Sequence, residues 1–245
     1  MRADGVAAWD QHAAWWQDTF TAGADPEYEE QILPMARAEL YGARRVLDVG
    51  TGEGQVARAA CGGLVVGVDP SRAQVVEAVA RGGGVRYLLA CADGLPFAGE
   101  AFDVVVVCLV LEHVAGYAEA IAEIARVLEP RGRFLLFLNH PLLQTPGSGW
   151  IDDHILDEQY WRIGPYLVDE LSVEEVAPGV GLPFAHRPLS RYVNVMAEHG
   201  LFIDRMEEPS PPPGFLTRAP EYEAASTIPR LLFVRATKRG AASRP

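Results

Sequence analysis

Five nearly continuous apolar runs recur between positions 46 and 139. They read VLDV (46–49), LVVGVD (64–69), VRYLLA (85–90), FDVVVVCL (102–109) and RFLLFLN (133–139). None alternates polar with apolar residues. A strand of this kind is buried on both faces, as in a parallel sheet covered by helices. The intervening segments carry helical spacing. GQVARAA (54–60) is one, and SRAQVVEAVA (71–80), opened by Ser71 as N-cap, is a second. YAEAIAEIARVLEP (117–130) is a third, with apolar residues at 118, 121, 124, 125 and 128 and an end at Pro130. Strand–helix repetition with right-handed crossovers predicts a doubly wound α/β domain.

The rhythm stops after the fifth run. Residues 140–187 hold aromatics, prolines and polar turns without a clean period, the pattern of a lid or substrate-binding insertion. A helix follows in LSRYVNVMAEHG (189–200), stopped by Gly200. Two late strands, LFIDRME (201–207) and LLFVRAT (231–237), flank a stiff SPPPGF loop (210–215). Residues 1–45 read as a cap of short, Trp-rich helices and 46–240 as the main domain, with KRGAASRP as a frayed tail.

Composition narrows the partners. A net charge of −12 repels phosphate backbones, so a nucleic-acid partner is not expected. Cys61, Cys91 and Cys108 are far apart and outside any CxxC spacing, so neither zinc nor a disulfide framework is expected. MRADGVAAWDQHAAWW lacks the basic and apolar regions of a signal peptide, and VVVVCLVL (104–111) is too short to span a bilayer. The expectation is a cytoplasmic protein with no membrane partner, a monomer or homodimer.

The first strand runs into glycines in VLDVGTGEG (46–54). Glycines after a strand allow a tight turn and close backbone approach to a ligand. The helix that follows offers free N–H groups. A P-loop would need Gly-Lys-Ser/Thr, which is absent. A dinucleotide fingerprint would place its third glycine at position 55, which is Gln55, whereas the chain has Gly54. Further acidic residues follow the next strands. Asp69 closes the second and suits ribose hydroxyls, while Asp93 follows the third and suits an adenine amine. LEHV comes after the fourth.

VLDVGTGEG, VVGVDPS, CADGLPFAGEAFDVVVVCLVLEHV and ARVLEPRGRFLLF together resemble the class I S-adenosylmethionine-dependent methyltransferases. The similarity is to the small-molecule ubiquinone/menaquinone branch, known as methyltransferase type 11, and covers about 40–240. It implies a Rossmann-like seven-stranded sheet with the last strand antiparallel. It also implies S-adenosylmethionine as cofactor, S-adenosylhomocysteine as product and a small-molecule methyl acceptor. Carried over, Asp48, Gly50, Thr51, Gly52 and Gly54 shape the methionine end. Asp69 holds the ribose, with Pro70 beside it in the same set. Asp93 and Gly94 read adenine, and Cys108 and Leu109 sit beside the sulfonium. Glu53 is either a cofactor contact or a charge favoured in a first helical turn.

The acceptor side is less legible. His113, in LEHV, stands at the cofactor edge as an adenosine neighbour or a catalytic group. His140 follows the fifth strand and His186 precedes the helix after the insertion, and these two are the expected base or substrate contacts. Trp9, Trp15 and Trp16, with Trp150, Tyr160, Trp161 and Tyr166, are expected as core or as walls of a lid over a flat acceptor. Tyr28 is a further candidate for the cofactor carboxylate. Proximity and orientation supply most of the rate in such a transfer. Two rivals remain open: a cofactor-binding protein of the same fold that does not methylate, and an NAD(P)-dependent oxidoreductase.

Overall fold

The apolar runs become neighbouring strands in the computed structural model, which describes residues 3–223 and 226–240. They are β1 (Arg45–Val49), β2 (Leu64–Asp69), β3 (Arg86–Leu89), β4 (Phe102–Cys108) and β5 (Leu128–Asn139). Two hairpins follow, β6 (Gly149–Asp153) with β7 (Glu158–Arg162) and β8 (Glu170–Ala177) with β9 (Val180–His186). β10 (Leu201–Glu207) and β11 (Leu231–Lys238) complete a seven-stranded sheet in the order β10-β11-β5-β4-β1-β2-β3. β11 runs antiparallel to both β5 and β10, and the pairs from β5 to β3 are parallel.

The strand composition explains the sheet's burial. Val104 and Val106 pack with Ile32, Leu40, Leu135 and Phe233 on one face. Val105 and Val107 pack with Ile121, Ile124, Phe134 and Met196 on the other. Every apolar position of β4 therefore has a covered face, which is why the run needs no polar alternation.

The helices are α1 (Ala3–Gln11), α2 (Ala13–Phe20), α3 (Leu33–Leu40), α4 (Arg72–Arg81), α5 (Tyr117–Val127), α6 (Leu189–Glu198) and α7 (Pro213–Arg218). Ser71 caps α4 as expected, its side chain accepting from the Gln74 N–H at 3.2 Å. A π-helical turn, Tyr28–Ile32, leads into α3.

Five segments depart from the sequence reading. The third run is the edge strand β3, with Leu88 and Leu89 40% and 52% exposed, and the expected 210–215 loop turns helical at Pro213, where α7 begins. Residues 54–60 form turns and one 3-10 turn, Ala57–Ala59, in place of a helix. Gly54 holds φ at +87°, and the chain must return to β2 within a few residues. α5 stops at Val127 because Leu128 already pairs with Phe102, so Pro130 lies inside β5. Residues 140–187 contain the two hairpins. β9 buries Val180, Leu182 and Phe184 at alternate positions although Pro183 stands between two of them, whereas Leu171 and Val173 of β8 are 64% and 75% exposed. The expected tail at 241–245 lies outside the described residues.

Ile124 is fully buried where α5 meets the sheet. Ile124→Ala is expected to cost about 2–5 kcal/mol of stability, read as a lower urea midpoint at unchanged slope.

Candidate cofactor crevice and active site

β1 lies between β2 and β4, so the chain crosses from one side of β1 to the other. Connections leave in opposite directions there and open a crevice at the strand carboxyl ends. The crevice holds about 920 Å³ of atom-free space, its mouth included. Its walls come from Asp48, Gly50–Glu53, Gln55 and Val56, from Asp69, Pro70 and Gln74, from Ala90–Ala92, and from Cys108–Val110, His113 and Val114. Trp9, Trp16, Thr21 and Tyr28 close it from the N-terminal side.

The glycine turn has this sequence for steric reasons. Gly50 holds φ at +73°, and a Cβ there would collide with the Val110 side chain. Gly54 has φ +87°, and a Cβ would strike the Tyr87 hydroxyl. Such conformations favour glycine. Asp69 fastens the turn: its Oδ2 accepts the Gly52 N–H at 2.9 Å and its Oδ1 accepts the Ser71 N–H at 2.8 Å. At the end of β4, Leu109 takes φ +55°, a left-handed conformation uncommon for a branched residue. Backbone strain of this kind concentrates at ligand sites.

Buried carboxyls dominate the floor. Burial pushes Asp48 up to about 7, against the Thr51 hydroxyl that donates to its Oδ2 at 2.8 Å. Burial likewise raises Asp69 to about 6. Glu53 is 1% exposed, and its Oε2 accepts from Arg58 at 2.5 Å and Arg81 at 2.9 Å. Its Oε1 is buried without a partner. Behind the crevice, burial raises Glu112 to about 7. Its Oε1 accepts from the Asn139 backbone and side-chain nitrogens at 3.2 and 3.1 Å, and its Oε2 has no partner. Burial pushes the Tyr28 hydroxyl and the neighbouring Cys108 thiol both well above their ordinary ranges.

The first helices are strapped across the mouth. Asp10 Oδ1 accepts from the Ser71 hydroxyl and the Ala73 N–H, both at 2.8 Å, and these bonds hold Asp10 below the usual carboxylate range. Gln17 donates to Gln74, Gln55 to the Phe20 carbonyl, and Arg81 to Thr21 Oγ1 at 2.9 Å. Trp9 then stands edge-on to Trp16 at 5.3 Å and to His113 at 5.0 Å. The insertion is pinned from the other side. Buried Arg187 donates to the Leu111, Val114 and Ala115 carbonyls and lies over the Tyr117 ring at 4.3 Å.

Most residues expected at the cofactor reach the crevice: Asp48, Gly50, Thr51, Gly52, Asp69, Pro70, Cys108, Leu109 and His113 line it, as does Tyr28. Gly54 sits behind it and shapes the turn. Asp93 and Gly94 lie exposed just past the lining segment 90–92, with the Asp93 carboxylate beside Gly116 at the start of α5. His140 and His186 are buried but outside the lining. Glu112 and Arg187 escaped the sequence reading, because their partners lie 27 and about 70 positions away. Among the described residues no cluster of His, Cys, Asp or Glu is placed to hold a metal, and no helix is long and apolar enough to cross a membrane.

Comparison with known proteins agrees with this geometry. Residues 47–136 match the family model described as a methyltransferase domain. A demethylmenaquinone methyltransferase of Thermus thermophilus is 36% identical over 46% of this chain and 54% of its own. A ubiquinone/menaquinone biosynthesis C-methyltransferase of Desulfotalea psychrophila is 35% identical over 64% of this chain and 63% of its own. The chain thus spans about half to under two thirds of these curated relatives. The crystal structure of an S-adenosylmethionine-dependent methyltransferase from Mesorhizobium loti superposes with a TM-score of 0.71 at 28% identity, over 84% of this chain and 96% of that one. Residues 47–136 thus form a methyltransferase domain, and the chain is similar to S-adenosylmethionine-dependent methyltransferases, among them relatives named for menaquinone and ubiquinone synthesis. The cofactor of that family is S-adenosylmethionine.

The residues present fit that cofactor. It carries a sulfonium, an ammonium and two ribose hydroxyls, and the crevice offers buried carboxyls and an unpartnered Glu53 oxygen. Without a cation they weigh on the fold. Asp48 has a folded pKa of about 7 against 3.8 unfolded, so folding takes up a proton between those values. Stability from this group is lost as pH rises through that window. Asp48→Asn is expected to raise the melting temperature of the ligand-free protein at pH 8, to leave it unchanged near pH 4, and to weaken cofactor binding. Melting curves at the two pH values and calorimetry check all three.

Proposed function

We propose that the protein transfers the methyl group of S-adenosylmethionine to an O, N or C atom of a small organic acceptor, in specialised or quinone-like metabolism. The observation that carries this reading is the set of three buried carboxyls, Asp48, Glu53 and Asp69, lining one crevice at the strand ends. Asp69 accepts from the ribose hydroxyls. Asp48 receives the ammonium, with the buried Glu53 carboxylate beside it, and the Gly50–Gly52 backbone runs along the methionine. Ala90–Ala92 border the adenine, with Asp93 and Gly94 at its outer edge. Cys108 and Leu109 flank the sulfur. When bound, the cofactor supplies an electrophilic methyl group on a cationic leaving group. The protein supplies alignment and exclusion of water.

The acceptor lies under the cover made by the first helices and the 140–187 insertion. Trp9 and Trp16 give that space flat aromatic walls, which suit a planar apolar molecule. The relatives named for menaquinone and ubiquinone synthesis act on acceptors of that shape, which favours a quinol-like ring. Such a molecule needs no basic groove, in keeping with the net charge of −12.

Two measurements test the reading. S-adenosylhomocysteine is expected to raise the melting temperature and NAD(P) to leave it unchanged; the opposite result would place the protein among oxidoreductases. S-adenosylmethionine is a cation and favours ionised Asp48 and Asp69, whose ligand-free values are about 7 and 6. Its affinity is therefore expected to climb from pH 5.5 to 8, and to climb less for S-adenosylhomocysteine, which lacks the sulfonium charge. Asp69→Ala removes charge-assisted hydrogen bonds of roughly 1.5–3 kcal/mol each, and calorimetry reads the loss. Equal affinity of the variant for cofactor sinks the ribose role.

A further inference from the structure

Three histidines stand near the carboxyl ends of the central strands, and their ring nitrogens differ in what holds them. His140 has both engaged: Nδ1 accepts the Leu142 N–H at 3.1 Å, and Nε2 meets Glu208 Oε1 at 2.8 Å. An accepted N–H leaves Nδ1 unprotonated, so Nε2 carries the hydrogen and donates it to Glu208. His186 Nε2 donates to the Tyr166 carbonyl at 2.9 Å. Its Nδ1 is free but sealed inside the protein, away from the crevice. Neither ring offers a lone pair to a substrate.

His113 does. Its Nδ1 lies 2.7 Å from the Pro183 carbonyl oxygen, which can only accept, so the proton resides on Nδ1. Nε2 then carries a lone pair. It has no partner among the described residues and is not among the sealed nitrogens. The ring lines the crevice. Trp9 at 5.0 Å and Phe184 at 5.3 Å meet it edge-on and fix its plane. Arg187 holds the carbonyls of Leu111, Val114 and Ala115 around it, which fixes its backbone. A ring oriented through one nitrogen and open at the other is the arrangement of a general base.

We propose that His113 Nε2 is the general base of the reaction, and that the acceptor is a molecule with an ionisable X–H: a phenol, an enol or an amine. This inference rests on the methyltransferase reading above. The acceptor's lone pair forms the new bond to carbon, the carbon–sulfur pair stays on sulfur, and the acceptor's proton passes to Nε2. The positive charge that sulfur loses reappears on the imidazole, within the same crevice as Asp48, Glu53 and Asp69, and returns from there to solvent.

The surroundings keep the ring neutral beforehand. Burial lowers its pKa to about 4, opposed only by the Pro183 hydrogen bond. From α1 it faces Trp9, while the neighbouring Asp10 is turned to Ser71 and Ala73. From β9 it faces the Pro183 carbonyl and Phe184. On its own loop, Glu112 is turned to Asn139.

The test has one arm that needs no acceptor. Histidine 15N NMR spectra of the S-adenosylhomocysteine complex at pH 7 are compared with those of H113N, whose missing signals identify the ring. The expected ring is neutral, protonated on Nδ1 and unprotonated on Nε2, and stays neutral down to pH 5.5. The second arm follows S-adenosylhomocysteine formation from a panel of phenols, enols and amines that includes a soluble naphthoquinol. H113N is expected to lower turnover by about 10²–10⁴-fold, with cofactor affinity by calorimetry within about threefold of wild type. A ring protonated on Nε2, an imidazolium at pH 7, or wild-type turnover by H113N would each overturn the proposal. If nothing in the panel reacts, the NMR arm decides alone. Failure of the wild type to bind S-adenosylhomocysteine would instead remove the methyltransferase reading itself.

Discussion

The two oxygens of Asp69 join three parts of the molecule. One accepts the Gly52 N–H and holds the glycine turn against the end of β2. The other accepts the Ser71 N–H at the start of α4. Ser71 in turn gives its hydroxyl to Asp10, which seats α1 over the crevice. A single carboxylate thus shapes the turn, starts the following helix and anchors the cover through one intermediary. The residue that suits the ribose hydroxyls is also the one that ties the walls together.

That arrangement carries a standing cost. Asp48, Asp69 and Glu112 are buried with their ionised forms disfavoured. Glu53 keeps one oxygen unpartnered although two arginines hold the other. Buried acids with open acceptor capacity destabilise an empty fold. Under the proposed function, a cationic ligand would offset that cost at the crevice residues Asp48, Glu53 and Asp69. Elsewhere the chain meets buried charge fully: Glu39 is surrounded by Arg133, Arg205 and Arg235. The contrast sets the crevice apart as a place of local instability, the pattern expected of a functional site.

Legibility in the sequence followed the range of the interactions involved. The sheet could be read because its central strands, β1, β2, β4 and the second half of β5, are contiguous apolar runs buried on both faces. The crevice lining could be read because Asp48, Gly50, Gly52, Asp69, Cys108 and Leu109 all stand at or just after strand ends, and the end of a parallel strand is a local property. The hairpins at 149–186 were not read, although Leu171 and Val173 of β8 and Val180, Leu182 and Phe184 of β9 alternate: the first pair points to solvent, and Pro183 interrupts the buried set. The helix expected at 54–60 yielded to glycine conformations and a short return to β2.

The sequence by itself determined the doubly wound sheet, the cofactor class and the acidic, glycine-lined corner at the strand ends. Only the tertiary structure decided which histidine faces the crevice and what covers it. The reason lies in separation along the chain. Glu208 occupies His140 from 68 positions away, Tyr166 occupies His186 from 20, and Pro183 orients His113 from 70. A ring nitrogen is made available or silent by its partner. No pattern of neighbouring residues encodes partners at that distance; the fold of the insertion over the strand ends does.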